Sequence, residues 1–381
     1  MESVQTPIIP VIAALIDAHP GAISLGQGVV NYGPPSRAIE RVRSLDYGSD
    51  IHKYGPTGGI TPLCEMIAAK LAAENGISTG SDSRIMVTAG SNMAFLNTLF
   101  AITRPGDEVI LPVPYYFNHE MAITMLDCRA VLVPTDADYL PQPEAIRRAI
   151  TGKTRAIVTV SPNNPSGMVY SEASLREINA MCGEHGLYHI SDEAYEYFTY
   201  DGTRHFSPAS IPEAGRYTIS LYSLSKAYGL AHWRIGYMVA PIHLESALYK
   251  VQDTNLICPP LVSQYAALGA MEIGKTYCRK KLEGIADVRK IILDELRETN
   301  AFCTVSPGNG AFYFMLKVAT ELDDMTVVRK LVSEHGVAVI PGHTFGLNDG
   351  CYLRVSYGAL DRHNALEGIM RLTGGLKAIA M

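Results

Sequence analysis

The residues best suited to chemistry are Ser223-Leu224-Ser225-Lys226, followed eight positions after the lysine by Arg234. Just before them, Tyr217 to Tyr222 is apolar and β-branched with no charge, as a strand covered on both faces would be. A lysine at the mouth of such a strand lies where open α/β sheets place their ligands. Held there in poor solvent it has a depressed pKa and can act as an amine nucleophile. Two short hydroxyls and one planar guanidinium beside it suit a phosphate. A Schiff-base lysine next to a phosphate pocket is what pyridoxal phosphate requires.

Further candidates also follow predicted strands. After Arg84 to Thr88 comes Ala89-Gly90-Ser91-Asn92, then an apolar helix from about Met93. Strand, glycine-containing turn and helix N-terminus direct free N–H groups at one spot, an arrangement that binds anions as readily as it serves for capping. After Arg155 to Val160 comes Ser161-Pro-Asn163-Asn164-Pro165-Ser-Gly167, with a donor amide at Asn164 held in a proline-fixed loop. After Leu187 to Ser191 come Asp192 and Tyr195, a carboxylate suited to a cationic ring nitrogen and a phenol suited to a phenolate. Arg354 interrupts the apolar run Gly350-Cys-Tyr-Leu-Arg354-Val-Ser356, and a guanidinium in such company needs an anionic partner. Singly, Asn164 serves equally well as a loop turn, Asp192 as a helix cap and Arg354 as half of a structural ion pair. Together they fit one ligand. The turn-rich segment from Ala22 to Pro35 adds Gly26 and Gly28, where a backbone can approach a ligand closely.

The elements that must position these residues alternate. Strands at 84–88, 108–111, 130–133, 155–160, 187–191, 217–222 and 235–240 are spaced by helices near 61–75, 117–126, 143–150 and 171–185. That rhythm predicts a three-layer α/β/α domain around a mostly parallel mixed sheet. After Pro260 a long helical stretch to about Glu298 precedes short strands at 311–316, 337–340 and 352–356, the pattern of a smaller α+β domain. The expected organisation is an N-terminal segment 1–45 packing with the small domain, a large domain 46–260 and a small domain 261–381.

The chain has 381 residues, 47% apolar and 18% charged, enough to bury more than one core. A net charge of −6 without a basic stripe argues against nucleic acid. Seven scattered cysteines without a CxxC pair suggest reduced thiols, and no metal site is expected. The start lacks a basic leader, and the apolar run 8–16 contains Pro10 and is too short to span a bilayer, so a cytoplasmic protein without a membrane partner is expected. Gly269-Ala-Met-Glu-Ile-Gly274-Lys275-Thr276 matches the Walker A pattern, but residues 262–273 read as helix, and a helical backbone cannot cradle phosphate.

The whole set resembles the fold-type I pyridoxal-phosphate-dependent aminotransferases of class I and II. The resemblance runs in order through Gly26-Gln-Gly28, Tyr54-Gly-Pro-x-Gly-Gly59, Gly90-Ser-Asn92, Pro114-Tyr-Tyr116, Asn163-Asn-Pro-Ser-Gly167, Asp192-Glu-Ala-Tyr195, Ser223-x-Ser-Lys226 with Arg234, and Tyr352-Leu-Arg354. It implies that Lys226 is both the Schiff-base residue and the general base, and that Asp192 keeps the pyridine nitrogen protonated. Tyr195 and Asn164 would bond the ring oxygen, and Tyr116 would stack on the ring. Gly90, Ser91, Asn92, Ser223, Ser225 and Arg234 would hold the phosphate. Tyr54 would reach the other subunit's cofactor in a homodimer with shared sites. Arg354 would take the substrate α-carboxylate, helped by Asn164 and Gly28. Two departures stand out: His232 replaces the family's usual glycine before the arginine, and Val29-Val30 replaces Glu-Pro.

Gln-Gly-Val-Val, the segment Pro114 to Ala122 and the segment Tyr195 to Gly202 are similar to a branch acting on aromatic amino acids and methionine. With Tyr32, Tyr115 and Tyr116 near the expected site, the substrates read as an aromatic or methionine-like amino acid and a 2-oxo acid. The alternatives are an aspartate-type aminotransferase or a lyase, performing β-elimination or decarboxylation on the same fold.

Overall fold

The computed structural model describes residues 1–380. Its larger sheet has seven strands in the order Ser83–Thr88, Gly236–Pro241, Thr218–Ser223, Tyr188–Asp192, Thr154–Val160, Glu108–Val113, Arg129–Pro134. Gly236–Pro241 runs antiparallel to both its neighbours, while the other pairings are parallel. Its direction follows from its connection. Residues 224–235 hold only the one-turn helix Leu224–Ala227 and a short 3-10 turn, no helix long enough to carry a parallel crossover. The strands Glu108–Val113, Thr154–Val160, Thr218–Ser223 and Gly236–Pro241 are nearly all buried, so the sheet's middle is covered on both faces as the apolar runs predict, while the edge strand Arg129–Pro134 is mostly open.

The C-terminal part holds a four-stranded antiparallel sheet in the order Ile340–Pro341, Cys351–Ser356, Tyr313–Val318, Cys303–Val305. The three-residue strand Cys303–Val305 carries too little pattern to be read from sequence. The long predicted helix is two, Leu261–Ile273 and Lys275–Leu296, divided at Gly274 with φ +65°, a left-handed value that β-carbon sterics discourage in other residues. The Walker-like stretch therefore lies in a helix up to Ile273, with no strand in front of it.

Helix Ile8–Asp17 buries Ile8 and Ile12 in the core that surrounds the smaller sheet. Pro10 falls in its first turn, where the missing N–H costs nothing. Strand Ile23–Ser24 pairs in parallel with Val337–Ala338. From there the chain runs along the end of Cys351–Ser356: Ser356 N–H donates to Leu25 O at 2.6 Å and Ser356 Oγ to Gln27 O at 2.6 Å. This seam delivers Gly26 to Gly28 to the junction of the two sheets. No helix among the described residues is long and apolar enough to cross a membrane.

Candidate active site

The C-terminal ends of five large-sheet strands and the Arg354 strand of the smaller sheet open onto one cavity of about 350 Å³. Lining it are Gly28, Ser91, Asn92, Tyr116, Asn164, Asp192, Tyr195, Ser223, Ser225, Lys226, Arg234 and Arg354. Gly28 and Arg354, 326 positions apart, meet the large-sheet strand ends here because those ends share one edge and the N-terminal segment runs along Cys351–Ser356 to it.

Lys226 sits in the single helical turn after Thr218–Ser223, and Ser223 Oγ caps that turn by accepting from Ser225 N–H at 3.2 Å. Burial first, then the guanidinium charges of Arg234 and Arg354, push the Lys226 amine down to about 8 against an opposing pull from Asp192. An amine so placed keeps a usable neutral fraction near neutrality, which a nucleophile or base needs.

Helix Ser91–Ile102 starts at Gly90, whose φ is +87°, and no side chain caps it. Its first-turn N–H groups are free to meet an anion. Arg234 lies against this turn: a β-carbon on residue 90 would fall 2.4 Å from Arg234 Nη2, so only glycine lets the two approach. Arg234 is fixed by Nη1 donating to Ala231 O at 2.9 Å. His232 is exposed on the 3-10 turn before it, and the replaced glycine leaves the arginine in the cavity wall.

Asp192 ends its strand deeply buried. One carboxylate oxygen accepts from Ala194 N–H at 3.0 Å, and the other lies 3.2 Å from His119 Nε2. His119 is itself buried and stacked on Phe95 with ring centroids 4.0 Å apart. Sequence reasoning assigned His119 no role, although it lies three residues after Tyr116, on the same face of helix Phe117–Met125. The Tyr116 hydroxyl accepts from Asn118 Nδ2 at 2.8 Å, and burial raises its pKa.

Arg354 is 2% exposed and pairs with no carboxylate among the described residues. Nη1 donates to Asn164 Oδ1 at 2.9 Å and Nη2 to Gly26 O at 2.7 Å, while Nε has no partner. Its cationic plane lies over the rings of Tyr313 (4.7 Å) and Phe345 (5.1 Å). A buried, unpaired guanidinium is costly unless an anion completes it. The contact to Asn164 Oδ1 leaves that amide's N–H groups to donate into the cavity. The loop carrying Asn164 is pinned by Asn163, whose Oδ1 accepts from Ser166 N–H and Oγ at 2.9 and 2.8 Å.

Two residues expected near the site, Tyr32 and Tyr115, do not line it, while Tyr54, expected to reach the partner's cofactor, stands apart from its own chain's cavity. Tyr32 does not line the cavity; its hydroxyl donates to the Lys226 carbonyl at 2.9 Å and its ring packs edge-on against Tyr277. The chain turns away from the site after Val29, with Asn31 N–H bonded to Gly358 O. Tyr54 is 81% exposed, away from the cavity of its own chain. Tyr115 is buried under Gly346 and does not line the cavity. Conversely Tyr313, read only as part of an apolar strand, contributes a phenol to the wall.

These groups fit pyridoxal phosphate: an uncapped helix start with an arginine for the phosphate, a buried carboxylate for the ring nitrogen, donors for the ring oxygen and a partly neutral lysine. The comparisons agree. A family model described as aminotransferase class I and II matches residues 20–372. An aromatic aminotransferase of Arabidopsis thaliana is 34% identical, over 98% of this chain and 94% of its own. An aspartate aminotransferase of Pyrococcus abyssi is 34% identical, over 88% and 87%. Among solved structures, the aspartate aminotransferase of Thermus thermophilus with maleate superposes with a TM-score of 0.90 at 29% identity, covering 98% of each chain. The aromatic aminotransferase of Pyrococcus horikoshii OT3 gives 0.86 at 31% identity, covering 96% of this chain and 99% of the other. The chain belongs to the class I and II aminotransferases, as a pyridoxal-phosphate-dependent transaminase of fold type I.

Proposed function

We propose that this aminotransferase acts on amino acids with a large neutral side chain, aromatic or methionine-like, and on a 2-oxo acid acceptor. The observation that carries the reading is the charge count of the cavity. Its cations are Lys226, Arg234 and Arg354. In the proposed roles Arg234 meets the phosphate, Arg354 the substrate α-carboxylate, and Lys226 the carbonyl carbon of the cofactor. No lining cation is left for a side-chain carboxylate, and Ile9, Val29 and Phe117 add apolar wall. The names of the relatives divide between aromatic and aspartate substrates. Steady-state rates with Phe, Tyr, Trp, Met, Ala and Asp separate the readings, and a preference for Asp over the others refutes this one.

When bound, the cofactor supplies an electron sink for the substrate α-carbon. The chain supplies the rest. Lys226 Nζ moves the proton from that carbon, and its loss lowers the rate by a factor on the order of 10⁴ or more. Asp192, oriented by His119, holds a proton on the ring nitrogen. Tyr195 and Asn164 donate to the ring oxygen, and Tyr116 covers the ring face. Gly90, Ser91, Asn92, Ser223, Ser225 and Arg234 bind the phosphate, and Gly28 and Asn164 accompany Arg354 at the substrate.

The functional unit is a homodimer in the cytoplasm, with Tyr54 completing the partner's phosphate site. Its exposure, and its distance in the fold from its own chain's cavity, support that role. Sedimentation of the Tyr54→Phe variant should show an unchanged dimer with weakened cofactor retention. The chain divides into an N-terminal segment 1–45, a large domain 46–260 and a small domain 261–381, and the pairing of Ile23–Ser24 with Val337–Ala338 supports grouping the first with the third.

A further inference from the structure

Tyr313 stands in the strand Tyr313–Val318, opposite Ser356 and diagonal to Arg354 on the same face of the smaller sheet. It is completely buried, and its hydroxyl lies 2.7 Å from that of Tyr195. The two rings meet edge-on at 81°, so the phenol oxygens converge while the ring bodies stay apart. The Arg354 guanidinium covers the Tyr313 ring at 4.7 Å. Gly28 makes room for this arrangement: a β-carbon there would sit 2.7 Å from the Tyr313 hydroxyl, whereas the nearest ring carbon is 3.6 Å away.

Both phenols keep their protons near neutrality. Burial pushes Tyr313 up to about 12 and raises Tyr195 as well, with Arg354 opposing at both. Two O–H groups thus share one oxygen–oxygen contact, and one proton is left over to point elsewhere. The Arg354 guanidinium lies over the ring of Tyr313, and a cation on that face makes the Tyr313 phenol the stronger donor of the pair.

We infer that Tyr313 is a positioning residue whose hydroxyl donates to the Tyr195 oxygen, turning the remaining Tyr195 O–H into the cavity and strengthening it as a donor. No proton leaves either ring; the pair acts as a two-step hydrogen-bond chain in which each bond polarises the next. Gly28 belongs to this device as the residue that leaves space for the Tyr313 hydroxyl. The inference rests on the proposed role of Tyr195 as donor to the cofactor's ring oxygen.

The test is the visible absorption of the protein loaded with pyridoxal phosphate, titrated across the neutral range. A weaker Tyr195 donor stabilises the anionic ring oxygen less, so the protonated form of the chromophore persists to higher pH. Tyr313→Phe keeps the ring under Arg354 and removes only the hydroxyl; it should raise the midpoint by about half a unit to one unit, the size of one hydrogen bond. Tyr195→Phe should raise it at least as far, and the double variant no further than Tyr195→Phe alone. Gly28→Ala should raise the midpoint in the native background, where it displaces the Tyr313 hydroxyl, and should add nothing on top of Tyr313→Phe, where only the ring remains. A native protein that shows the chromophore while Tyr313→Phe and Gly28→Ala both leave its midpoint unmoved overturns the inference and leaves the cofactor role of Lys226 intact. A native protein that stays colourless overturns both. A packing role alone would alter melting temperature without shifting the midpoint.

Discussion

Replacing Arg354 by glutamine tests the substrate end of the site most directly. A guanidinium has five N–H donors. In Arg354 one is used by Asn164 Oδ1 and one by Gly26 O, and Nε is unpartnered. The remaining donors suffice for a two-pronged grip on a carboxylate, so the protein contacts aim the fork without exhausting it. Charge-assisted hydrogen bonds contribute roughly 1.5–3 kcal/mol each. Losing two, with part of the gain returned by removal of a buried cation, should weaken transition-state binding by about 3–4 kcal/mol, or about 10²–10³-fold in kcat/KM. The assay compares L-phenylalanine with 2-phenylethylamine, which keeps the ring and the amine but lacks the carboxylate. Arg354→Gln should lose two to three orders of magnitude against the amino acid and about nothing against the amine, so the variant ceases to distinguish them. An equal loss against both, or a phenylalanine kcat/KM within about threefold of the native value, would show that the arginine holds the fold and not the substrate.

The pH dependence of cofactor capture follows from Lys226. Its amine is pushed down to about 8, so the rate at which cofactor-free protein takes up pyridoxal phosphate should rise with pH and level off near 8; a rise continuing toward the ordinary lysine value of 10.5 contradicts the burial argument. His119→Phe keeps the stack on Phe95 but removes the Nε2 contact to Asp192, which should lower kcat by about 10–150-fold, the worth of one hydrogen bond to a buried charge, with little change in KM. His189 is wholly buried between Thr159 Oγ1 (2.9 Å) and Asn179 Nδ2 (3.0 Å), and burial lowers it from 6.5 to about 4. The unfolded chain binds that proton below 6.5 while the native one refuses it until about 4. Its contribution is therefore fully present above 6.5 and lost as pH falls, up to about 3 kcal/mol across the window; urea midpoints of the native protein should fall more steeply there than those of His189→Gln.

What the sequence disclosed depended on contrast between neighbours. Lys226 and Arg354 stood out because a charge beside an apolar strand needs a reason, and both line the cavity. Ser91, Asn92, Asn164 and Asp192 were found because each follows a strand, and the shared edge of the sheet brings strand ends together. Tyr313 was hidden for the opposite reason: in Ala311-Phe-Tyr-Phe-Met-Leu316 an aromatic residue looks like core, and its hydroxyl is invisible to a count of apolar positions. His119 was hidden because one histidine on a short helix has no pattern of its own; only the register with Asp192 gives it a partner. Tyr32 was misplaced by inferring proximity from chain neighbours. Four residues after Gly28 the backbone has already crossed to the far side of Lys226, and its hydroxyl meets the lysine's carbonyl. The antiparallel direction of Gly236–Pro241 was not legible, because the twelve residues 224–235 are about the length a parallel crossover needs, and only their lack of a full helix tells against one.

The charge distribution explains why these parts function as one site. Three cations and the single carboxylate of Asp192 face a cavity of about 350 Å³. Left to themselves, Arg234 and Arg354 depress the Lys226 amine, and burial works against the charges of Lys226 and Arg354. A ligand bringing two anionic ends, one at the uncapped start of helix Ser91–Ile102 and one at Arg354, relieves both costs and brings Lys226 the carbonyl it can attack. The phosphate belongs to the cofactor and the carboxylate to the substrate, so neither alone balances the cavity. The substrate's side chain meets no remaining cation there, and its own charge has nothing to offset its desolvation. On the proposed substrate assignment, selectivity for neutral side chains arises from the same charge balance that makes Lys226 reactive, and a change at Arg234 or Arg354 should disturb both together.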